Sequence, residues 1–306
     1  MVEPKAAPVE VVKTIRIMSR EERLAMEKEK PEELAKIRAE AAKVPNGQGI
    51  FWKVEKAGLK PSYLLGTMHV TDPRVLTMPN GAREAAAAAD VVVIESDEIL
   101  DEQKAAASLL MHPELTMFTD GKSVKDHLDA AELAKLESGL KERGLALGAV
   151  ARMKPWILAS FVALPACEMS RKAAGASFLD KQIAVDAVKA GKPVAGLDSL
   201  VEQLEAMADL PVDFHFKALI ETIALGDKME DVIETMTELY LAGDIGMTMP
   251  MLKAVAPTES GEDESAYAAF ETRIVRDRNL VMAEGSKQHL EKGNAFIAVG
   301  ALHLHQ

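Results

Sequence analysis

The feature that most restricts this chain is a short pattern that occurs twice, far apart. An apolar run ends in glycine, and histidine follows three residues later. Tyr63-Leu64-Leu65 leads into Gly66-Thr67-Met68-His69, and Phe296-Ile297-Ala298-Val299 leads into Gly300-Ala301-Leu302-His303. A run that is apolar on both faces must be covered on both sides, as a sheet strand between helical layers is. Glycine at the carboxyl end of such a strand lets the backbone turn or a neighbour approach closely. The histidine then lies in the crevice beyond the strand ends, where open α/β sheets place their ligands. If the two strands are neighbours, the two imidazoles converge. The competing reading is two unrelated histidines that satisfy local hydrogen bonds at strand ends.

A third run, Val91-Val92-Val93-Ile94, passes into Glu95-Ser96-Asp97-Glu98 and puts Glu95 at the same sheet edge. Two imidazoles and one carboxylate with open positions form a standard divalent-metal set, so His69, Glu95 and His303 are the candidate ligands. Asp97 is the reserve ligand or general base, whereas Glu98 and Asp101 read as solvated. Further on, a helix expected over 263–291 carries Tyr267, Phe270, Ile274, Val281 and Met282 on one face. Arg278 shares that face, and a guanidinium there needs an anionic partner. It either forms a structural ion pair or serves the site, by binding a substrate carboxylate or stabilising an oxyanion. Asn279 beside it is a polar helper, and Lys154 of Met153-Lys154-Pro155-Trp156 is a candidate cleft residue. Arg171, Asp180 and Asp198 are at most supporting groups. His112, His127 and His289 read as surface residues, His215 as packing or capping, and His305 as frayed.

The remaining pattern is helical. Strands are expected at 50–54, 62–65, 91–94, 193–195 and 295–299. Helices are expected at 81–89, 101–111, 129–143, 153–171, 178–190, 199–208, 212–225 and 228–242, besides 263–291. This is a helix-rich α/β fold with a central sheet and a large helical insertion between the two strand regions. Residues 1–49 differ: charges of both signs alternate, and Pro45-Asn46-Gly47-Gln48-Gly49 closes the segment as a loop. Ser19 with Glu22 makes a capping-box pattern and Pro31 suits a first helical turn, so 1–49 reads as a solvated charged helical arm or leader. Residues 50–306 read as one domain.

The formal net charge of −12 over 306 residues argues against nucleic acid and against an anionic membrane surface as partners. The longest apolar stretch, Trp156 to Cys167, is too short to span a bilayer and reads as a buried helix. Cys167 is the single cysteine, so no disulfide framework exists, and it reads as a buried inert thiol. Val2-Glu3-Pro4-Lys5 after Met1 lacks a basic and apolar leader. The expectation is periplasm or cell envelope if an export signal has been removed, and cytoplasm otherwise.

Six segments, in order, resemble TraB/GumN proteins: LLGTMHV (64–70), VVVIESD (91–97), MKPW (153–156), GKPVAGLDSL (191–200), RNLVMA (278–283) and FIAVGALHL (296–304). That group is similar to the Tiki membrane-anchored metalloproteases and, more remotely, to the erythromycin esterase/ChaN-like superfamily. The resemblance implies a mixed sheet built from two related halves, each giving a G-x-x-H motif to one cleft. It further implies peptide cleavage that depends on a divalent ion such as Mn, Co or Zn. His69 and His303 match the motif histidines, Glu95 the carboxylate after the second strand, and Arg278 with Asn279 the helix motif. The expected function is a metal-dependent hydrolase, peptidase-like, acting on a peptide or small molecule. The alternative is a non-catalytic cell-envelope protein that binds a peptide, haem or another small ligand in the same cleft.

Overall fold

The computed structural model describes residues 2–4, 31–226, 228–255 and 262–304. The Ser19–Glu22 capping pattern and His305 lie outside them. The strands are β1 (Val2–Pro4), β2 (Phe51–Val54), β3 (Ser62–Thr67), β4 (Val91–Ile94), β5 (Val194–Gly196) and β6 (Ala295–Gly300). They form one mixed sheet in the order β1-β2-β3-β6-β4-β5. β1, β2 and β3 pair antiparallel, whereas β3, β6, β4 and β5 run parallel. The helix-rich α/β reading therefore holds, and the strands of the two G-x-x-H motifs are neighbours.

β6 lies at the centre and is buried on both faces. Phe296 and Ala298 join Leu65, Val92 and Ile94 under the helix Leu179–Lys189, through its Ile183 and Ala187. Ile297 and Val299 turn the other way, with Val93, onto Met282 of the helix Asp277–Leu290. This alternation on a doubly covered strand is why the run at 295–299 reads as continuously apolar. The helical insertion has its own core, in which Leu136, Leu140, Leu158, Phe216 and Leu219 are almost fully buried. Among the described residues no helix is long and apolar enough to cross a membrane.

Several local expectations need correction. The helix Pro31–Ala41 is present, but Leu34 and Ile37 are buried against Met236, Leu239, Met247 and Met251, so this part of the 1–49 segment is packed, not solvated. The helix expected over 153–171 is two helices, Pro155–Val162 and Ala166–Ala173, because Pro165 has no N–H to carry the ladder through. The second helix turns Glu168 inward, leaving Cys167 exposed and not buried. His127 is no surface residue: its ring stacks between Phe118 and Phe216, with centroids 5.1 Å from each. His215 packs as expected, with Nε2 2.8 Å from the Met207 carbonyl oxygen.

Candidate functional site

The parallel strands β3, β6 and β4 end at one edge of the sheet, and their register aligns the residues just beyond their ends. Leu65 pairs with Ala298, and Ala298 pairs with Ile94. His69 lies beyond β3, His303 beyond β6 and Glu95 beyond β4, so one crevice receives all three. They line a cleft of about 440 Å³ together with Arg278, Tyr240, Gln203 and several apolar side chains.

Arg278 ties one wall together. Its Nη2 donates to Glu95 Oε2 at 2.8 Å, and both Nε and Nη2 donate to Asp198 Oδ2, at 3.0 and 2.8 Å. Its Nη1 faces His303 Nε2 at 3.4 Å. All four side chains are at least mostly buried, Arg278 being 14% exposed. The other oxygen of Glu95 accepts the Gly300 backbone N–H at 2.6 Å, and His303 Nδ1 lies 2.6 Å from Asn279 Oδ1. Asn279 thus fixes the ring so that Nε2 points into the cleft. Burial alone would raise the Glu95 carboxyl, but the charges of His303, His69 and Arg278 and the Gly300 N–H outweigh it and hold it below its ordinary value. Burial pushes the Asp198 carboxyl up, against the pull of Gln203 and Arg278.

His69 forms the other rim. Its side chain is 55% exposed, and Nε2 lies 3.5 Å from Oδ1 of Asp180, which is buried. The Thr67 hydroxyl donates to that same oxygen at 2.7 Å. Burial pulls the His69 imidazolium down, but the Asp180 hydrogen bond and the charges of Asp180 and Glu95 prevail, so its pKa stands above the ordinary 6.5. The segment after His69 is pinned: Thr71 donates from its N–H and hydroxyl to Glu168 at 2.9 and 2.7 Å, and Arg171 pairs with the same carboxylate. Tyr240, buried below, donates its hydroxyl to the Gly66 carbonyl at 2.9 Å.

The sequence-predicted residues are not all here. Asp97 sits in a short 3-10 turn, with its backbone and carboxyl packed against Gly196 of β5, and it is not a lining residue of the cleft. Lys154 lies in the helical insertion, its Nζ 4.5 Å from the centre of the Phe118 ring, also apart from the cleft lining. The face predicted for 263–291 is only partly right. A π-helical stretch, Glu271–Arg276, widens the turn and shifts the register. From Val275 within it the inward line runs on through Arg278, Met282 and Ser286, and Val281 is 52% exposed. Asp198, taken only as a supporting group, accepts two hydrogen bonds from Arg278 where Glu95 accepts one. It lies beyond strand β5 as Glu95 lies beyond β4, a parallel visible in the sequence. Asp180 and Tyr240 give no comparable signal, since each lies within a helix of mixed polar and apolar residues and not at a strand end.

The donor types of His69, Glu95 and His303 suit a divalent ion, but their arrangement does not. Among the described residues no three His, Cys, Asp or Glu side chains form a group able to hold a metal. The positive charge between Glu95 and His303 is the Arg278 guanidinium, which faces the lone pairs a metal would need. The second-sphere contact that a ligating histidine usually makes is present at His303, through Asn279. Without displacement of Arg278, however, the set does not fit a resident cation.

Gly66 is where the second motif packs closely on the first. A Cβ on Gly66 would stand 2.5 Å from Leu304 Cδ1 and 3.0 Å from the Ala301 backbone. Leu304 can swing aside, but the turn that carries His303 must shift. Gly66→Ala is expected to lower stability by about 1–3 kcal/mol, read by denaturant unfolding; an unchanged midpoint would contradict the tight contact between the two motifs.

Residues 50–306 match the family model described as the TraB/PrgY/gumN family. No curated protein and no solved structure matches the chain.

Proposed function

The chain belongs to the TraB/PrgY/gumN family, and from that premise we propose that the cleft hydrolyses a peptide or a peptide-like amide. The observation that supports this reading best is the pairing of two unlike walls across one crevice. One wall is a histidine oriented by a buried carboxylate, and the other is a guanidinium held by two carboxylates beside a second histidine.

In this reading His69 is the general base. Its contact to Asp180 through Nε2 leaves Nδ1 for the proton of an attacking water, and Asp180 stabilises the imidazolium that forms. Arg278 is committed to Glu95 and Asp198 through Nε and Nη2, so its Nη1 serves the oxygen that becomes negative in the tetrahedral intermediate. Glu95, kept ionised, holds that guanidinium in place. The proton that His69 takes from the water passes to the leaving amine as the C–N bond breaks, while His303, oriented by Asn279, accepts from Arg278 Nη1 and holds the guanidinium towards the reacting carbonyl. No step is assigned to a metal ion.

The test is cleavage of a mixed peptide library by the purified chain, with and without a strong chelator. The expected result is cleavage that survives chelation. Cleavage lost on chelation and restored by Mn, Co or Zn would overturn the assignment of the cationic role to Arg278. Binding without cleavage would favour a non-catalytic ligand-binding protein.

A further inference from the structure

A second cavity, of about 490 Å³, opens onto the same reacting groups. It shares His69, Glu95 and Gln203 with the cleft, so these three stand at the waist between two chambers. Its walls are Ile94, Ile99, Ala105, Leu109, Leu200 and the ring of Phe178, which also packs on His69 with centroids 5.2 Å apart. From this we infer that the substrate carries a bulky, uncharged apolar side chain next to the reacting bond, and that this second chamber receives it.

Three observations select that occupant. The volume falls in the range of small-ligand sites, which are mainly apolar with few fixed polar groups. Each of the four acids in the wall already has a partner: Glu95 pairs with Arg278, Glu98 accepts the Leu200 N–H at 2.7 Å, Glu102 pairs with Lys181 at 2.7 Å, and Asp180 accepts the Thr67 hydroxyl through Oδ1, leaving only its Oδ2 open. A cationic side chain would therefore have to compete for them, whereas a neutral one would not. Finally, two buried polar atoms in the wall have no hydrogen-bond partner among the described residues, Ser96 Oγ and Asp180 Oδ2. The residues that carry them are 7% and 3% exposed. Buried polar atoms are normally satisfied, and a peptide backbone supplies what these two need: an N–H for the carboxylate oxygen and a carbonyl or N–H for the hydroxyl. An apolar side chain flanked by amide groups meets the whole lining.

The inference rests on the hydrolytic reading for the word substrate, but the chamber can be tested without turnover. N-acetyl-leucinamide and N-acetylglycinamide are titrated into wild type and Ala105→Phe, followed by NMR, while both proteins are assayed on the peptide library. Ala105 is half-buried on the helix Glu102–Met111 and touches none of the reacting groups proposed above. Wild type is expected to bind the leucine amide at least about tenfold more tightly and to cleave beside large apolar residues. Ala105→Phe, which fills the chamber, is expected to lose that discrimination. Should it fail to fold, Leu109→Trp replaces it. Equal affinity of wild type for both amides, or discrimination that survives in the filled variant, overturns the inference. Discrimination lost on filling, with no cleavage of any peptide, keeps the chamber and removes only the hydrolytic reading.

Discussion

Arg278→Met is expected to unfold well below the wild-type midpoint and to lose the proposed peptide cleavage by about 10²–10³-fold. Both effects come from one arrangement. Glu95 and Asp198 are 10% and 5% exposed at the side chain, and the guanidinium between them is their common counter-charge. Removing one partner of a buried ionic group costs about 3–5 kcal/mol, because the charges left behind stay desolvated. Part of that cost disappears when the carboxylates are neutralised. The folded-state pKa of Glu95 is depressed below its ordinary value of 4.5. Its stabilising contribution is therefore full above that value and is lost as the pH falls through the lower, folded one. In the variant the depression is relieved, so acid costs it less than it costs wild type. The gap in midpoint narrows below about pH 4.5. Thermal unfolding of both proteins between neutral and acid pH reads this directly; a gap that widens in acid would mean that Arg278 does not stabilise Glu95.

For His69→Gln the opposite profile is expected: the proposed cleavage falls by about 10²–10⁴-fold and stability barely moves. Its side chain is 55% exposed, and its contact to Asp180 is long, so little folding energy depends on it. The pH dependence separates a base from a spectator. A histidine acts as base only when deprotonated, so kcat/KM rises with pH through the free-enzyme His69 pKa. That value stands above 6.5, held there by Asp180 and Glu95 against burial. Asp180→Asn removes the nearest negative charge, so the rise moves to lower pH while the limiting rate drops through loss of orientation. A rise that stays in place in Asp180→Asn would show that some other group titrates.

Much of this centre is readable from the chain because the crevice is built at strand ends, and strand ends leave marks. His69, His303 and Glu95 each come after a run apolar on both faces, and the parallel pairing β3-β6-β4 is what such runs require. Asp198 could have been found by the same rule, since it lies just beyond β5. The contribution of the helices is harder to see. The inward line of the segment carrying Arg278 depends on the π-helical turn at Glu271–Arg276, and uniform helical periodicity places Val281 inward when it is out. Tyr240 reaches the cleft and Asp180 the second chamber because of how their helices pack, and packing depends on residues far away in sequence. Lys154 illustrates the converse: a cation beside an aromatic in a distinctive motif is satisfied by the Phe118 and Trp156 rings. Asp97 fails for a local reason, since the chain turns into a 3-10 segment directly after Ser96 instead of continuing the strand.

The proposed hydrolysis requires the two walls of the cleft to act on one bond, and the measurement that addresses this is the cleavage rate of His69→Gln, Arg278→Met and the double variant against wild type on one peptide. Residues that work as a unit are strongly non-additive, so the double variant should be about as slow as the worse single one. Losses that multiply, or a wild-type protein that cleaves no peptide, would contradict it.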